Sequence, residues 1–215
     1  PQIIINEIHY NPSNGNSDQF IELCNIGDAV VNLSGYRILN DIDFTFPAGS
    51  NIDPAEYIIL AGSASNYHNQ GYQVFDWNGN TLSDSWGNVK LVNNSGELID
   101  LVTYDSQNKW SVIPDGNGPS LSLRHISDEN LYYANWRASY ADGGTPGLPN
   151  LDPPVTGLFI NEFLAINDAI ITDEYSQYND WIEIYNAGQN VIDLAGLYIS
   201  DDFTKKTLHR ISITD

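Results

Sequence analysis

The sequence predicts an all-β protein, a sandwich or a barrel, on three observations. Short runs of Ile, Val, Leu, Tyr and Phe recur between clusters of Gly, Asn, Asp, Ser and Pro, which is how strands and turns read in such domains. Only one stretch reads as helical. Hydrophobic residues make up 41% and aromatics 12% of 215 residues, enough to fill a core and to exclude a disordered chain.

The elements follow in order. Runs expected to be strands are Ile3–His9, Phe20–Ile26, Val30–Leu33, Tyr36–Leu39 and Phe44–Phe46, then Tyr57–Ala61, Gln73–Asp76, Val89–Val92, Glu97–Tyr104 and Ser120–His125. The first two are dense in β-branched and aromatic residues that suit a buried pleat. Between Ala61 and Gln73, Ser63 could cap and Gly71 could stop two helical turns over Ser63–Gln70. In Glu97–Tyr104, the residues Leu98, Asp100, Val102 and Tyr104 should face one way and Glu97, Ile99, Leu101 and Thr103 the other. Asn93-Asn94-Ser95-Gly96 and Pro114-Asp115-Gly116-Asn117-Gly118 are rich in residues that tolerate positive φ and should form tight reversals.

From Asp142 to Pro154 the chain turns to glycine and proline. Adjacent prolines cannot continue a ladder and favour an extended spacer. The expected organisation is a domain over residues 1–150, a Pro-rich linker over 151–157 and a second domain over 158–215. The second is a repeat of the first. Ile5-Asn6-Glu7-Ile8 returns as Ile160-Asn161-Glu162-Phe163, and Phe20-Ile21-Glu22-Leu23-Cys24-Asn25 as Trp181-Ile182-Glu183-Ile184-Tyr185-Asn186. Val31-Asn32-Leu33-Ser34-Gly35 returns as Ile192-Asp193-Leu194-Ala195-Gly196. Strands are expected at Leu158–Leu164, Trp181–Tyr185, Val191–Leu194 and Leu197–Ser200. With Asp215 in register with Pro54, this second copy is expected to be partial. Its open edges should pair with the first domain or with another chain. Pro1 is not a start residue and the sequence holds no Met, so a trimmed piece of a longer protein is expected.

The ordered set Ile-Asn-Glu-Ile-His-Tyr-Asn-Pro, Phe-Ile-Glu-Leu-Cys-Asn and Val-Asn-Leu-Ser-Gly-Tyr resembles the lamin tail domain family. So do Phe46-Pro47-Ala48-Gly49, Asp53-Pro54-Ala55-Glu56-Tyr57, Gly96-Glu97-Leu98-Ile99-Asp100 and the closing Gly144-Thr145-Pro146-Gly147. The resemblance spans residues 3–150 and resumes over 158–202. It implies an immunoglobulin-like β-sandwich, followed by a partial second copy of that fold. In bacteria such domains occur in secreted or surface proteins, often beside enzymes, and the resemblance transfers no catalytic activity.

Several residues are candidates for chemistry. Glu7 and Glu22, which recur as Glu162 and Glu183, could act as a general acid and base or hold a cation. Alternatively they satisfy backbone donors, and their recurrence favours this scaffold role. Asn6, Asn25, Asn161 and Asn186 suit turns and caps at sheet edges. Cys24 stands alone, which excludes an intrachain disulfide and a Cys-based zinc site; its counterpart is Tyr185, so it reads as structural. His9, His68, His125 and His209 show no zinc-ligand spacing, and His9 reads as a lone surface residue. Oxygen-rich loops suit calcium, with Asp173, Glu174 and Asp180 as candidates in the second copy and Asn14, Asn16 and Asp18 in the matching loop of the first. No other cofactor is implied. Trp77, Trp86, Trp110, Trp136 and Trp181 either fill the core or offer platforms to sugars or partner proteins.

Charge narrows the function. Eight Lys and Arg stand against 28 Asp and Glu, a net −20, and phosphate backbones repel such a surface, so nucleic acid is excluded as a partner. No stretch approaches the ~20 apolar residues of a membrane span. The expected function is a non-catalytic binding or spacer module, secreted or on the cell surface of a bacterium, that contacts protein or carbohydrate or positions neighbouring domains. The alternative is a metal-dependent hydrolase using Glu7 and Glu22.

Overall fold

A computed structural model describes residues 2–67, 71–151, 157–188, 191–192, 194, 197–202, 204–205 and 209–211. They fall into two compact units, Pro1–Asp152 and Pro153–Ile211. In the first, the strands are β1 (Ile3–His9), β2 (Phe20–Asn25), β3 (Val31–Asn32), β4 (Arg37–Asn40), β5 (Phe44–Thr45) and β6 (Asn51–Ile52). They continue as β7 (Tyr57–Ala61), β8 (Gln73–Asp76), β9 (Trp86–Val92), β10 (Leu98–Asp105), β11 (Pro119–Leu123) and β12 (Trp136–Asp142).

Six strands form one sheet in the order β12-β11-β1-β2-β7-β8, antiparallel throughout except for β7 and β8. Four form a second, β10-β9-β4-β5, and β3 pairs with β6 in a short ladder. This is the β-sandwich of the immunoglobulin-like class. Because side chains alternate across a strand, Ile5, Ile8, Ile21, Leu23, Leu121 and Leu123 of the larger sheet share one core with Ile38, Val89, Leu91 and Val102 of the smaller. Tyr10 stacks on Tyr104 within that core, ring centroids 4.8 Å apart, the offset geometry favoured by aromatic pairs. Phe20, Ile59, Ala61 and Tyr67 form a smaller cluster.

Ile3–His9, Tyr57–Ala61 and Gln73–Asp76 are strands at the expected bounds, and the other expected runs of this unit hold strands that differ by a few residues at their ends. In β10, Asp100, Val102 and Tyr104 turn inward as the alternation requires, but Leu98 is exposed. A bulge between Leu98 and Asp100 breaks the register there. The expected helix over Ser63–Gln70 is replaced by one 3-10 turn, Ala64–Asn66, and Ser63 makes no side-chain cap bond; residues 68–70 lie outside those described. So short a segment cannot sustain a helix by itself, and tertiary bonds hold it otherwise. Asn66 Nδ2 donates to Ser17 O at 3.1 Å and Tyr67 Oη to Asp18 O at 2.6 Å. β12 was not expected. Its Trp-Arg-Ala-Ser-Tyr-Ala-Asp alternates Trp136, Ala138 and Tyr140 with Arg137 and Ser139, a short strand pattern, and it pairs with β11.

In the second unit, β13 (Leu158–Leu164) pairs with β14 (Trp181–Asn186), and β15 (Tyr198–Ile199) with β16 (His209–Arg210). Val191, Ile192 and Leu194 carry no strand; Asp193 lies outside the described residues, as do residues 152–156 of the expected linker. Among the described residues no helix is long and apolar enough to cross a membrane.

Candidate functional site

The site is assembled where β1 bulges. Glu7 lies directly across from Glu22, and the register of β1 on β2 shifts between Ile5 and Glu7. A bulge re-aims the side chains around it, and the Asn6 amide here reaches Glu22 Oε1 at 2.6 Å. Both carboxylates have no solvent exposure. Ser122 of β11 is opposite Glu7 on the other side, and the period of two brings Ser120 to the same face.

The acceptors are fully engaged. Glu7 Oε1 accepts from Ser120 Oγ, from Ser122 Oγ at 3.2 Å and from Thr145 N at 3.0 Å. Glu7 Oε2 accepts from Thr145 Oγ1 at 3.1 Å. Glu22 Oε2 accepts from Gly147 N at 2.7 Å. Asn150 closes the segment: its Nδ2 donates to Asn6 O at 3.1 Å and to Leu123 O at 2.8 Å. The segment Gly144–Asn150 is thus a latch across the glutamate pair.

The latch requires its glycines. Gly144 has φ +76, and a Cβ there would stand 2.1 Å from Glu7 Oε1. Gly147 has φ +77, and its Cβ would stand 1.8 Å from Tyr72 Cδ1. Only glycine allows both the left-handed backbone and the close approach.

Burial raises the Glu7 carboxyl above its ordinary value of 4.5, against the pull of the Ser120, Thr145 and Ser122 donors. Burial, then the neighbouring Glu7, raises Glu22 well above it. A general acid or base must reach its substrate. These two carboxylates are sealed, and neither lines the cleft beside His9 or the one by Gln2 and Leu98. What the arrangement does is tie β1, β2 and β11 to the chain after β12.

A second polar tie lies on the same strand. Asp100 Oδ2 accepts from Ile5 N at 2.6 Å, and Asn130 Nδ2 donates to Ile5 O at 3.2 Å and to Asp100 Oδ2 at 2.6 Å. The two side chains stand in for a neighbouring strand where the pairing of β1 with β11 has ended. Trp136 Nε1 donates to Asn130 O at 2.8 Å and holds the pair in place.

The remaining candidates are dispersed. His9 is buried, not on the surface, and burial lowers it to about 4, because its neighbours on β1 and Phe20 are core residues. It borders an open cleft of about 500 Å³ with Asn14, Asp18, Tyr67 and Asp142. Asn25 Nδ2 donates to Ala29 O and Ile52 O, and Gly27 N donates to Asn25 Oδ1, the expected turn role. Cys24 is buried, its thiol pushed up to about 11 by burial.

Asp173 is spent on its own loop, accepting from Tyr175 N, Gln177 N and Asn179 Nδ2. Asp180 accepts from Asn167 N, and Glu174 is exposed. Among the described residues, no three His, Cys, Asp or Glu side chains gather as a metal site would need. Trp77 and Trp136 are buried, Trp110 and Trp181 partly buried, while Trp86 is 66% exposed.

Residues 1–106 match the family model of the Lamin Tail Domain. Over these residues the chain is similar to the lamin tail domain family. No curated protein matches the chain. The matched segment holds Glu7, Glu22 and Asp100. Ser120, Ser122, Asn130, Thr145 and Asn150, which complete both ties, lie beyond it. From sequence, Thr145 stands out only within the closing Gly-Thr-Pro-Gly motif, and the other four had no assigned role. The signal was present: two serines at period two in an otherwise apolar strand, and a Gly-Thr-Pro-Gly turn.

The β13–β14 hairpin repeats the β1–β2 hairpin of the first unit. Leu158 pairs with Asn186, Ile160 with Ile184 and Glu162 with Glu183, with the register shift again between the Ile and the Glu. Asn161 Nδ2 donates to Glu183 Oε1 as Asn6 does to Glu22. Gly188 N donates to Asn186 Oδ1 as Gly27 does to Asn25. Unlike Glu7 and Glu22, Glu162 and Glu183 are exposed.

Proposed function

We propose that this chain is a non-catalytic binding or spacer module of a secreted or surface-attached bacterial protein, built from one lamin tail domain and part of a second. The observation that supports it is the fate of Glu7 and Glu22. The pair that a hydrolase would need is buried, hydrogen-bonded on every oxygen and closed by the latch. A catalyst keeps such groups within reach of substrate. Contacts to protein or carbohydrate then fall to exposed aromatics such as Trp86, Tyr132 and Tyr140, whose flat faces stack and whose polar tips hydrogen-bond.

The test is a hydrolase screen with glycan, phosphoester and peptide substrates, with divalent metal or chelator, on wild type and Glu22→Gln. No turnover above buffer is expected in any arm. Metal-dependent turnover that Glu22→Gln abolishes would establish the hydrolase instead.

A further inference from the structure

We propose that the cleft beside His9 is a binding site for a guanidinium group, and that its occupant is an arginine side chain of a partner protein. The proposal rests on reading the chain as a non-catalytic module that contacts protein, and it names what that module holds. The cleft encloses about 500 Å³ within the first unit, and none of its lining residues is Lys or Arg.

His9 is the residue that the fold leaves unexplained. It is 3% exposed, and neither ring nitrogen makes a hydrogen bond. Burial keeps the ring neutral at pH 7, with the carbonyls of Gly118 and Asp18 close by. A neutral imidazole can aim its N–H at one of these carbonyls. Its other nitrogen is then an acceptor with nothing to accept, and buried polar atoms are almost always paired. Packing does not require a polar residue here. Leu164 holds the equivalent position in the second hairpin, where it pairs with Trp181 as His9 pairs with Phe20. The imidazole is therefore explained by the cleft that it faces.

Two carboxylates share that cleft. Asn66 Nδ2 donates to Asp18 Oδ1 and Tyr67 Oη to Asp18 O, which orients Asp18 and leaves its Oδ2 open. Asp142 makes no side-chain hydrogen bond or ion pair among the described residues. A Cβ on Gly118 would stand 2.9 Å from Asp142 Oδ1, so this carboxylate lies against the backbone beside the His9 ring. Two acidic groups and a neutral acceptor, in an acidic unit and with no basic neighbour, select a cation rich in N–H donors. Guanidinium fits best. Its planar fork carries five donors, enough for both carboxylates and the imidazole, and it is more weakly hydrated than an ammonium. A bare divalent ion fits less well, because no three His, Cys, Asp or Glu side chains gather among the described residues.

The peptide acetyl-Gly-Gly-Arg-Gly-Gly-amide, titrated into the full chain and read by amide chemical shifts, tests this. Saturable shifts are expected at Asn14, Asp18, Asn66, Gly118 and Asp142. A peptide with Lys in place of Arg should bind about fivefold more weakly. One with citrulline, which keeps the shape but not the charge, should bind about tenfold more weakly. The Asp18→Asn, Asp142→Asn double variant should lose about tenfold in affinity, and it keeps an acceptor for Asn66. His9→Leu should weaken binding about threefold or more with its urea midpoint unchanged or raised, since leucine suits this position in the repeat. Absence of shifts overturns the proposal, as does equal binding of the citrulline peptide. Shifts spread over the acidic surface and unchanged in the double variant show plain charge attraction and overturn it too. Calcium chloride that reproduces the shifts and blocks the peptide shows a metal site instead. A lowered midpoint with unchanged binding in His9→Leu shows a structural histidine. Any of these failures with no hydrolase turnover leaves the non-catalytic reading standing, whereas turnover sinks that reading whatever the peptide does.

Discussion

Glu7 and Glu22 sit opposite each other without solvent, so ionising both would place two like charges in an apolar interior. Their folded-state values are raised above 4.5. A raised carboxyl favours the protonated native state, so its contribution is complete below pH 4.5 and is lost as pH rises through the raised values. Neutral Glu7 has a place for its proton, since Thr145 Oγ1 can accept it and donate in turn to Asn150 Oδ1 at 3.2 Å. Glu7→Gln reproduces that arrangement. It should fold within about 1 kcal/mol of wild type at pH 5 and gain on it as pH is raised to 8. His9, lowered to about 4, has the opposite sign, losing stability as pH falls from 6.5, and is common to both proteins. Their difference in urea midpoint therefore isolates the glutamates. A difference that stays constant with pH would show that Glu7 is charged in the folded state. Glu7→Ala should cost more, about 1–3 kcal/mol for each buried donor left unpaired.

At the scale of the element, β1 is a central strand with an interrupted neighbour. β11 pairs with it only at Glu7 and Ile8. Beyond that point the backbone of Ile5 is served by Asp100 and Asn130. Buried backbone groups must be paired, and this pair of side chains does it. Asp100→Ala should leave Ile5 N–H unpaired and lower the protection of that amide from exchange roughly tenfold to a hundredfold, the equivalent of about 1–3 kcal/mol. Protection at Ile8, inside the ladder, should change less. Equal loss at both amides would mean that Asp100 supports the whole sandwich and not this edge. β12 carries a related lesson. Trp136 is buried and anchored to Asn130, so β12 is fixed by one aromatic and its partner β11.

For the whole molecule, charge is the governing quantity. Residues 1–150 hold five Lys and Arg against 17 Asp and Glu, a net −12, and the chain as a whole is at −20. Phosphate contacts require clustered basic side chains. Two of the basic side chains, Arg37 and Lys205, already lie beside Asp43 and Asp202, at 3.2 and 3.7 Å. Duplex DNA should show no gel shift at 150 mM salt with protein in the micromolar range. A shift under those conditions would mean that the surface field is organised differently from its sum.

The sequence by itself determined the strands with dense β-branched pattern, the repeat and the importance of Glu7 and Glu22. Each depends on residues near one another in the chain or on recurrence of a motif. Net charge is likewise legible in composition, because it needs no coordinates. Only the tertiary structure decided what the glutamates do. Glu7 meets Thr145 across 138 positions and Glu22 meets Gly147 across 125, and no local pattern specifies such a pairing. The same is true of His9, buried by Phe20 and the sheet around it, and of Ser63–Gln70, where bonds to Ser17 and Asp18 replace the expected helix. Local propensity is worth a few tenths of a kcal/mol per residue, about, whereas a buried polar group without a partner costs several times that. The satisfaction of buried donors and acceptors therefore set the final arrangement.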